Sequence, residues 1–346
     1  MYQLFIIYKE VQVLKKKGLI IKIVAVVLVL SIGAGIGLYI NDRNRDFNNA
    51  EKITIAMGTV MTQKIYGELP GKNIADIISL VSSLEDNISC KKEGAALSLL
   101  NKTGASENLI IYDALKICNE VSEKSGGVFD VSVGNAVSLW GIGTSDEGIP
   151  SQDEIAAVME KCGYEKITLE DGKITLDGDF SVDLGAVGKG LACDYIMKYL
   201  RSSGVNGGVV SVGGSILAYG QQNKAGDKWR VAVRHPREEN KFLGVITMGE
   251  GFVSTSGDYE KYFEEDGKRY HHIFDGNTGY PSQSGLISVT VVCDSGILSD
   301  ALSTACFILG REKGEALLKQ YGASGIFVDE GMNVTLTGDI DFEYSE

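Results

Sequence analysis

Asp266 and Gly267 sit between two strand-like runs, Tyr259 to Phe263 and Arg269 to Phe274. A two-residue turn of this composition closes a hairpin and fixes the register of both arms. Successive side chains on a strand point to opposite faces, so His271 and His272 on the return arm cannot both face one pocket. The stretch from Val253 to Pro281 holds two of the chain's three histidines. Just before the hairpin, Ser254-Thr255-Ser256-Gly257 follows the apolar pair Phe252 and Val253. Read as a turn, it offers hydroxyls and backbone N–H groups to a phosphate. Asp275 to Gly279 closes the stretch as a second tight turn. Taken alone, two adjacent histidines on an exposed hairpin are usually just surface polar residues.

Two other places carry chemistry. Val182 to Gly190 (VDLGAVGKG) reads as a strand over Phe180 to Leu184 and a glycine-rich turn, opening a helix to about Leu200. Unsatisfied N–H groups at such a helix start suit a phosphate. The spacing matches neither a P-loop nor G-x-G-x-x-G, and tight packing accounts for it as well. A later helix, Ser295 to Leu309, carries Asp300 and Thr304 four residues apart and so on one face. That pair suits a hard cation. It also suits an N-terminal helix carboxylate and a threonine bonded back to its own helix. His235, ending the strand Trp229 to Pro236, reads as a surface histidine.

The net charge of −13 and pI near 4.9 argue against nucleic acid as a partner. An acidic domain meets a dinucleotide through a divalent cation or a local cluster of donors. Charge is also uneven: Lys9, Lys15, Lys16, Lys17 and Lys22 oppose only Glu10 before the first forty residues end. The apolar run from Ile23 to Ile40, extended to 19–40 if Lys22 snorkels, is long enough to cross a bilayer core. Lysines on its N-terminal side predict a cytoplasmic N-terminus. No good A-x-A site follows, which favours an uncleaved anchor over a signal sequence. The chain then divides into a cytoplasmic segment (1–18), a transmembrane anchor or signal sequence (19–40), a linker (41–52) and one folded domain (53–346). That domain is expected on the extracytoplasmic side of the cell membrane. Six scattered cysteines lack C-x-x-C or zinc spacing and read as small buried hydrophobes.

Within the domain, Ile53, Ile55 and Met57 alternate as a strand ending in Met57-Gly58-Thr59. Ile74, Ile77, Ile78, Val81 and Leu84 form an amphipathic helical stripe. A second helix covers Tyr112 to Ser125, capped by Gly126 or Gly127. Ser151 to Glu154 is a capping box, and Asp171-Gly172 turns a hairpin. Gly207 to Gly214 is a buried strand. Leu286 to Cys293 is a strand, residues 311–321 a helix, and Gly325 to Thr337 a closing hairpin.

Several of these motifs, in this order, resemble those of the ApbE-type FAD:protein FMN transferases. They are Met57-Gly58-Thr59, Gly127-Val128-Phe129-Asp130, Trp140-Gly141, Asp183-Leu184-Gly185-Ala186-Val187-Gly188-Lys189-Gly190, Val212-Gly213-Gly214-Ser215, Thr255 to Glu260 (TSGDYE), His271-His272-Ile273-Phe274-Asp275, and Ser299 to Ala305. The resemblance covers about Ile53 to Thr337. It implies an α+β fold, a single ApbE-like (T-fold-related) domain of mixed sheets with covering helices. It implies FAD as substrate, bound by Met57, Gly58, Thr59, Asp183, Lys189, Ser256, Gly257 and His272. It implies Mg2+ held by the Ala186 carbonyl, Asp300 and Thr304, with His272 as catalytic base. The reaction implied is transfer of FMN to a threonine of an acceptor flavoprotein subunit of a membrane redox complex, with AMP released. The rivals are hydrolysis of FAD to FMN and AMP, and flavin binding without turnover. Departures are Gly276-Asn277 where the family has Pro-Arg, Ser215 in place of an acid or amide, Ala95-Ala96 for Ser-Glu, and Cys90-Lys91 where an aromatic often covers the flavin ring. Thr103 to Ser106 (TGAS) is similar to the (S/T)-G-A-(S/T) acceptor motif, but so short a motif of common residues recurs by chance, as YGAS at 321–324 illustrates.

Overall fold

The helical stripe read from Ile74 to Leu84 meets a sheet whose strands are apolar on both faces, and the layering follows from that. The computed structural model describes residues 48–223 and 225–345. The expected span at 19–40 and the segment 1–18 lie outside the described residues; among those described, no helix is long and apolar enough to cross a membrane. In chain order the first half comprises β1 (Asn49–Ala56), β2 (Thr59–Tyr66), α1 (Pro70–Ile88), α2 (Ala96–Thr103), β3 (Ala105–Ser106), α3 (Leu109–Ser125), α4 (Gly134–Trp140), α5 (Gln152–Met159), β4 (Ile167–Glu170), β5 (Lys173–Leu176) and α6 (Gly188–Ser202). The second comprises β6 (Gly207–Val212), β7 (Ser215–Gly220), β8 (Trp229–Arg234), β9 (Phe242–Met248), β10 (Gly251–Gly257), β11 (Tyr262–Glu265), β12 (Lys268–His271), β13 (Leu286–Cys293), α7 (Gly296–Leu309), α8 (Arg311–Tyr321), β14 (Ser324–Asp329), β15 (Val334–Thr337) and β16 (Phe342–Tyr344). The first strand starts at Asn49, inside the stretch read as linker.

The expected α+β architecture is present. An eight-stranded sheet has the order β1-β2-β6-β7-β10-β13-β14-β15 with antiparallel neighbours. Period-two alternation divides its side chains between two cores. Val210, Val212, Phe252, Val289 and Val291 join α1, α3, α6 and α7 in one. Val209, Val253 and Ile287 pack against Trp229, Val231 and Ile246 of the β16-β9-β8 sheet in the other. The central strands therefore read as continuous apolar runs. On α1, Ile74, Ile77, Val81 and Leu84 are buried as the stripe requires, Ile78 is half-buried, and Ile88 extends the buried face. The Ser151 capping box forms, and Gly126 ends α3 in the left-handed region.

Two local expectations are corrected. Ser254 to Gly257 is not a turn but the end of β10, laddered to β7 at Ser254 and to β13 through Gly257. Its main-chain groups serve strand pairing, as where Thr255 N–H donates to the Gly214 carbonyl (3.0 Å), so the segment offers hydroxyls rather than an amide cradle. Phe180 to Leu184 is not a strand: it makes one isolated bridge, Ser181 to Val133. A side chain holds it instead. Asn101 donates to the Val182 carbonyl (2.9 Å) and accepts from the Val182 amide (2.8 Å).

Candidate active site

Helices α6 and α7 cross at glycine. A Cβ on Gly190 would collide with the Gly296 carbonyl, and one on Gly296 with the Gly190 carbonyl. This contact lets the Gly190 amide donate to Asp300 Oδ2 (2.6 Å), while Ser215 Oγ donates to Asp300 Oδ1 (2.5 Å). Asp300 is buried. One turn later, Thr304 Oγ1 lies 3.2 Å from Ser256 Oγ, which is also 2.8 Å from Ser303 Oγ. Asp194 on α6 fastens the start of α7 by accepting from the amides of Gly296 (2.8 Å) and Ile297 (2.7 Å). Burial raises its pKa, and the helix-end amides oppose that.

Asp300, Thr304, Ser303 and Ser256 thus form a corner of oxygen donors, with Ala186 in the loop just before α6. Among the described residues no group of three His, Cys, Asp or Glu side chains gathers as for a metal. A single carboxylate with neutral oxygens suits a magnesium ion, which commonly keeps one or two carboxylates and takes its remaining oxygens from water and phosphate. Each Asp300 oxygen accepts one hydrogen bond and retains a lone pair. The donor set fits that ion.

A second group adjoins the first. Met57 (φ +51°) and Gly58 (φ +69°) make the β1–β2 turn. The Met57 side chain lies where a Cβ on Gly188 would approach it at 3.3 Å, and Thr59 Oγ1 and Lys189 Cδ flank the same point at Gly213 (2.8 and 3.2 Å). Three of the expected segments, Met57 to Thr59, the glycine-rich loop and the Gly213 turn, therefore meet. Asp183 Oδ1 accepts from the Gly185 amide (2.7 Å), which shapes that loop. Gly257 belongs elsewhere: a Cβ there would strike the Tyr259 ring, so its place is explained by packing.

The hairpin separates the two histidines as its register requires. His271 is buried edge-on to Phe307 (5.4 Å), with Nε2 on the Ser282 carbonyl (3.0 Å); its role is structural. His272 is half-buried and places Nδ1 3.2 Å from the Lys261 carbonyl. A carbonyl only accepts, so Nδ1 carries the proton and Nε2 keeps its lone pair. Burial, then the Lys261 and Lys189 ammonium groups, push the His272 pKa down to about 3. Lys261 has its own pKa lowered, by desolvation and then by Lys189 and Lys91. Among the described residues none of the ammonium groups of Lys91, Lys189 and Lys261 makes a hydrogen bond or ion pair. His235 is no ligand: its Nδ1 accepts from the amides of Arg237 (3.2 Å) and Glu238 (2.9 Å).

Lys91, Lys261, Ser215, Ser303 and Asp194 are site residues that no sequence motif singles out. Only Lys261 had a signal there, since a turn at Asp266-Gly267 pairs Tyr262 with His271 and sets Lys261 beside His272. The Gly276-Asn277 departure also has a physical account. The Gly276 amide donates to the Val128 carbonyl (2.8 Å), which proline could not do, and Asn277 Nδ2 donates to the Gly126 carbonyl (3.1 Å). Trp140 Nε1 reaches the Gly279 carbonyl in the same turn (2.9 Å).

Known proteins are similar to this chain in sequence and in fold. The chain is 31% identical over 313 residues to an FAD:protein FMN transferase of Treponema pallidum, covering 83% of this chain and 85% of that one. It is 34% identical over 276 residues to an FAD:protein FMN transferase of Vibrio cholerae, covering 75% and 81%. Its fold is similar to the crystal structure of the ApbE protein from Thermotoga maritima, with a TM-score of 0.79 at 29% identity over 84% of this chain and 97% of that one. It is also similar to the apo flavinyl transferase ApbE of Pseudomonas stutzeri, with a TM-score of 0.75 at 27% identity over 84% and 95%. The ApbE family model matches residues 57–327, and the chain belongs to the ApbE family.

Proposed function

We propose that this chain is an FAD:protein FMN transferase that moves FMN from FAD to a threonine hydroxyl of an acceptor protein. The observation that carries the reading is a neutral His272 whose Nδ1 is held by the Lys261 carbonyl and which faces the Lys261 and Lys189 ammonium groups, with Lys91 bearing on Lys261, in a protein of net charge −13. Such a cluster favours a polyanion locally against the overall field. Asp300, Thr304 and the Ala186 carbonyl would hold magnesium, which supplies charge neutralisation at the diphosphate. Lys189, Met57, Gly58, Thr59 and Ser256 line the place for the nucleotide, and Asp183 shapes the loop that carries Lys189.

His272 Nε2 takes the proton of the acceptor hydroxyl. The hydroxyl oxygen forms a bond to the phosphorus of the FMN half, and the bond from that phosphorus to the AMP phosphate breaks. AMP leaves with the electron pair. Lysine ammonium groups stabilise the charge that builds on the phosphoryl oxygens. The acceptor is a flavoprotein subunit of a membrane redox complex with an (S/T)-G-A-(S/T)-like motif. The apolar run at 19–40 anchors the chain and places the domain on the extracytoplasmic side.

Incubating the chain with FAD, magnesium and a threonine-bearing acceptor tests the activity. Flavin fluorescence that stays with the acceptor on a denaturing gel, with AMP released, supports it. FMN and AMP formed equally without acceptor would replace transfer by hydrolysis, and unchanged FAD would remove catalysis.

A further inference from the structure

Resting on that reading, we infer that Lys261 is a positioning residue for His272 and, together with Lys91, completes the diphosphate-binding part of the site. Its main chain does the first task. The Lys261 carbonyl accepts both from the His272 amide (3.1 Å) and from Nδ1 (3.2 Å), so backbone and ring are fixed by one oxygen. Its side chain does the second. The aliphatic stem lies along Gly143, with Cδ, Cβ and Cγ 3.7–4.0 Å from where a Cβ would stand. That holds the ammonium where Lys189 and Lys91 both bear on it.

These lysines come from separate parts of the fold: β11's leading edge, the first turn of α6, and the α1–α2 loop. The charged groups facing Lys261 are Lys189, Lys91, Asp183 and Glu260; those facing His272 are Lys261 and Lys189, with His271 behind it. Mutually repelling ammonium groups without a hydrogen-bond partner are unfavourable until an anion arrives. A diphosphate spreads its charge over two phosphoryl groups and so answers three cations better than a single phosphate. Lys91 follows Cys90 in the loop where the resembling family often carries an aromatic residue.

Binding of FAD and of ADP, a diphosphate without flavin, is measured on the full chain in magnesium at several salt concentrations. Lys261→Met should weaken both ligands alike, about ten-fold or ~1.4 kcal/mol, with a shallower salt dependence; Lys261→Arg should stay within about three-fold of the parent. Lys91→Met, on an exposed loop residue, should weaken both ligands independently of any packing around Lys261. Lys268→Met, on the same hairpin, should change nothing. In Lys261→Met the acid limb of the transfer profile should move to higher pH, since the imidazole loses a neighbouring cation. Parent-like ADP and FAD binding by both methionine variants would overturn the inference and leave the proposed function standing. So would a Lys261→Met defect that arginine fails to rescue. A parent chain that binds neither ligand would overturn the functional reading itself.

Discussion

The Gly190 amide reaches Asp300 Oδ2 at 2.6 Å across 110 residues of sequence. One hydrogen bond thus ties the glycine-rich loop to the helix that carries the acidic oxygen donor. Lys189, one residue earlier, belongs to the cationic group around His272. The oxygen corner and Lys189 are thus brought next to each other at this amide.

Gly190→Ala tests that joint. The added methyl would meet the Gly296 main chain, which cannot rotate away. Helices α6 and α7 must part, at a cost of about 1–3 kcal/mol. Thermal unfolding should shift down accordingly, and transfer should fall further than the stability loss explains. A parent-like melting temperature would show that the crossing tolerates a side chain.

Asp300→Asn keeps the shape but presents an amide where two donors point, Gly190 N–H and Ser215 O–H. One of the two must lose its acceptor if the amide nitrogen faces it, costing about 1–3 kcal/mol. Transfer should drop at least ~100-fold and should not be recovered by raising magnesium. Full activity in this variant would remove Asp300 from the site.

His271 and His272 should separate cleanly by substitution. His272→Ala should lower transfer by about 10²–10⁴-fold and leave FAD binding largely intact. His271→Ala removes a buried ring from Phe307 and leaves the Ser282 carbonyl without its partner, so its main effect should be on stability. Matching FAD titrations and melting curves distinguish the two.

Acid should destabilise the ligand-free chain through His272. Its folded pKa, near 3, lies below the unfolded value, so the unfolded chain binds more protons between about pH 6.5 and pH 3. Stability from this group is therefore present above about pH 6.5 and is lost as pH falls toward 3. Chemical denaturation across that window should show a shallower acid loss in His272→Gln than in the parent.

Asp194→Ala should cost about 1–2 kcal/mol, because the first amides of α7 lose their acceptor. The loss should be visible in urea midpoints, with Asp194→Asn retaining part of it.

Local chemistry was legible in the sequence wherever it set local geometry. The Asp266-Gly267 turn gave the strand register, and with it the opposite roles of His271 and His272. The α1 stripe and the Ser151 capping box followed from spacing. The hydroxyls and glycine of Ser254 to Gly257 suit a turn, but pairing with β7 and β13 overrides that preference. Lys91 and Lys189 could not be grouped with Lys261, since nothing local links three lysines so far apart. Ser215 looked like a departure from the family's acid or amide. Only the folded chain shows its hydroxyl turned onto Asp300.

The crossing of α6 and α7 is built from two residues that have no rotamers to choose among. Placement of the oxygen corner is therefore a property of the main chain, and Asp300 is held on both oxygens before any ligand arrives. Loading the site freezes little that was free, so the entropic penalty of binding falls on the ligand and on the long lysine side chains. Affinity in this family member should thus be adjusted at its lysines, while the glycine crossing keeps the geometry constant.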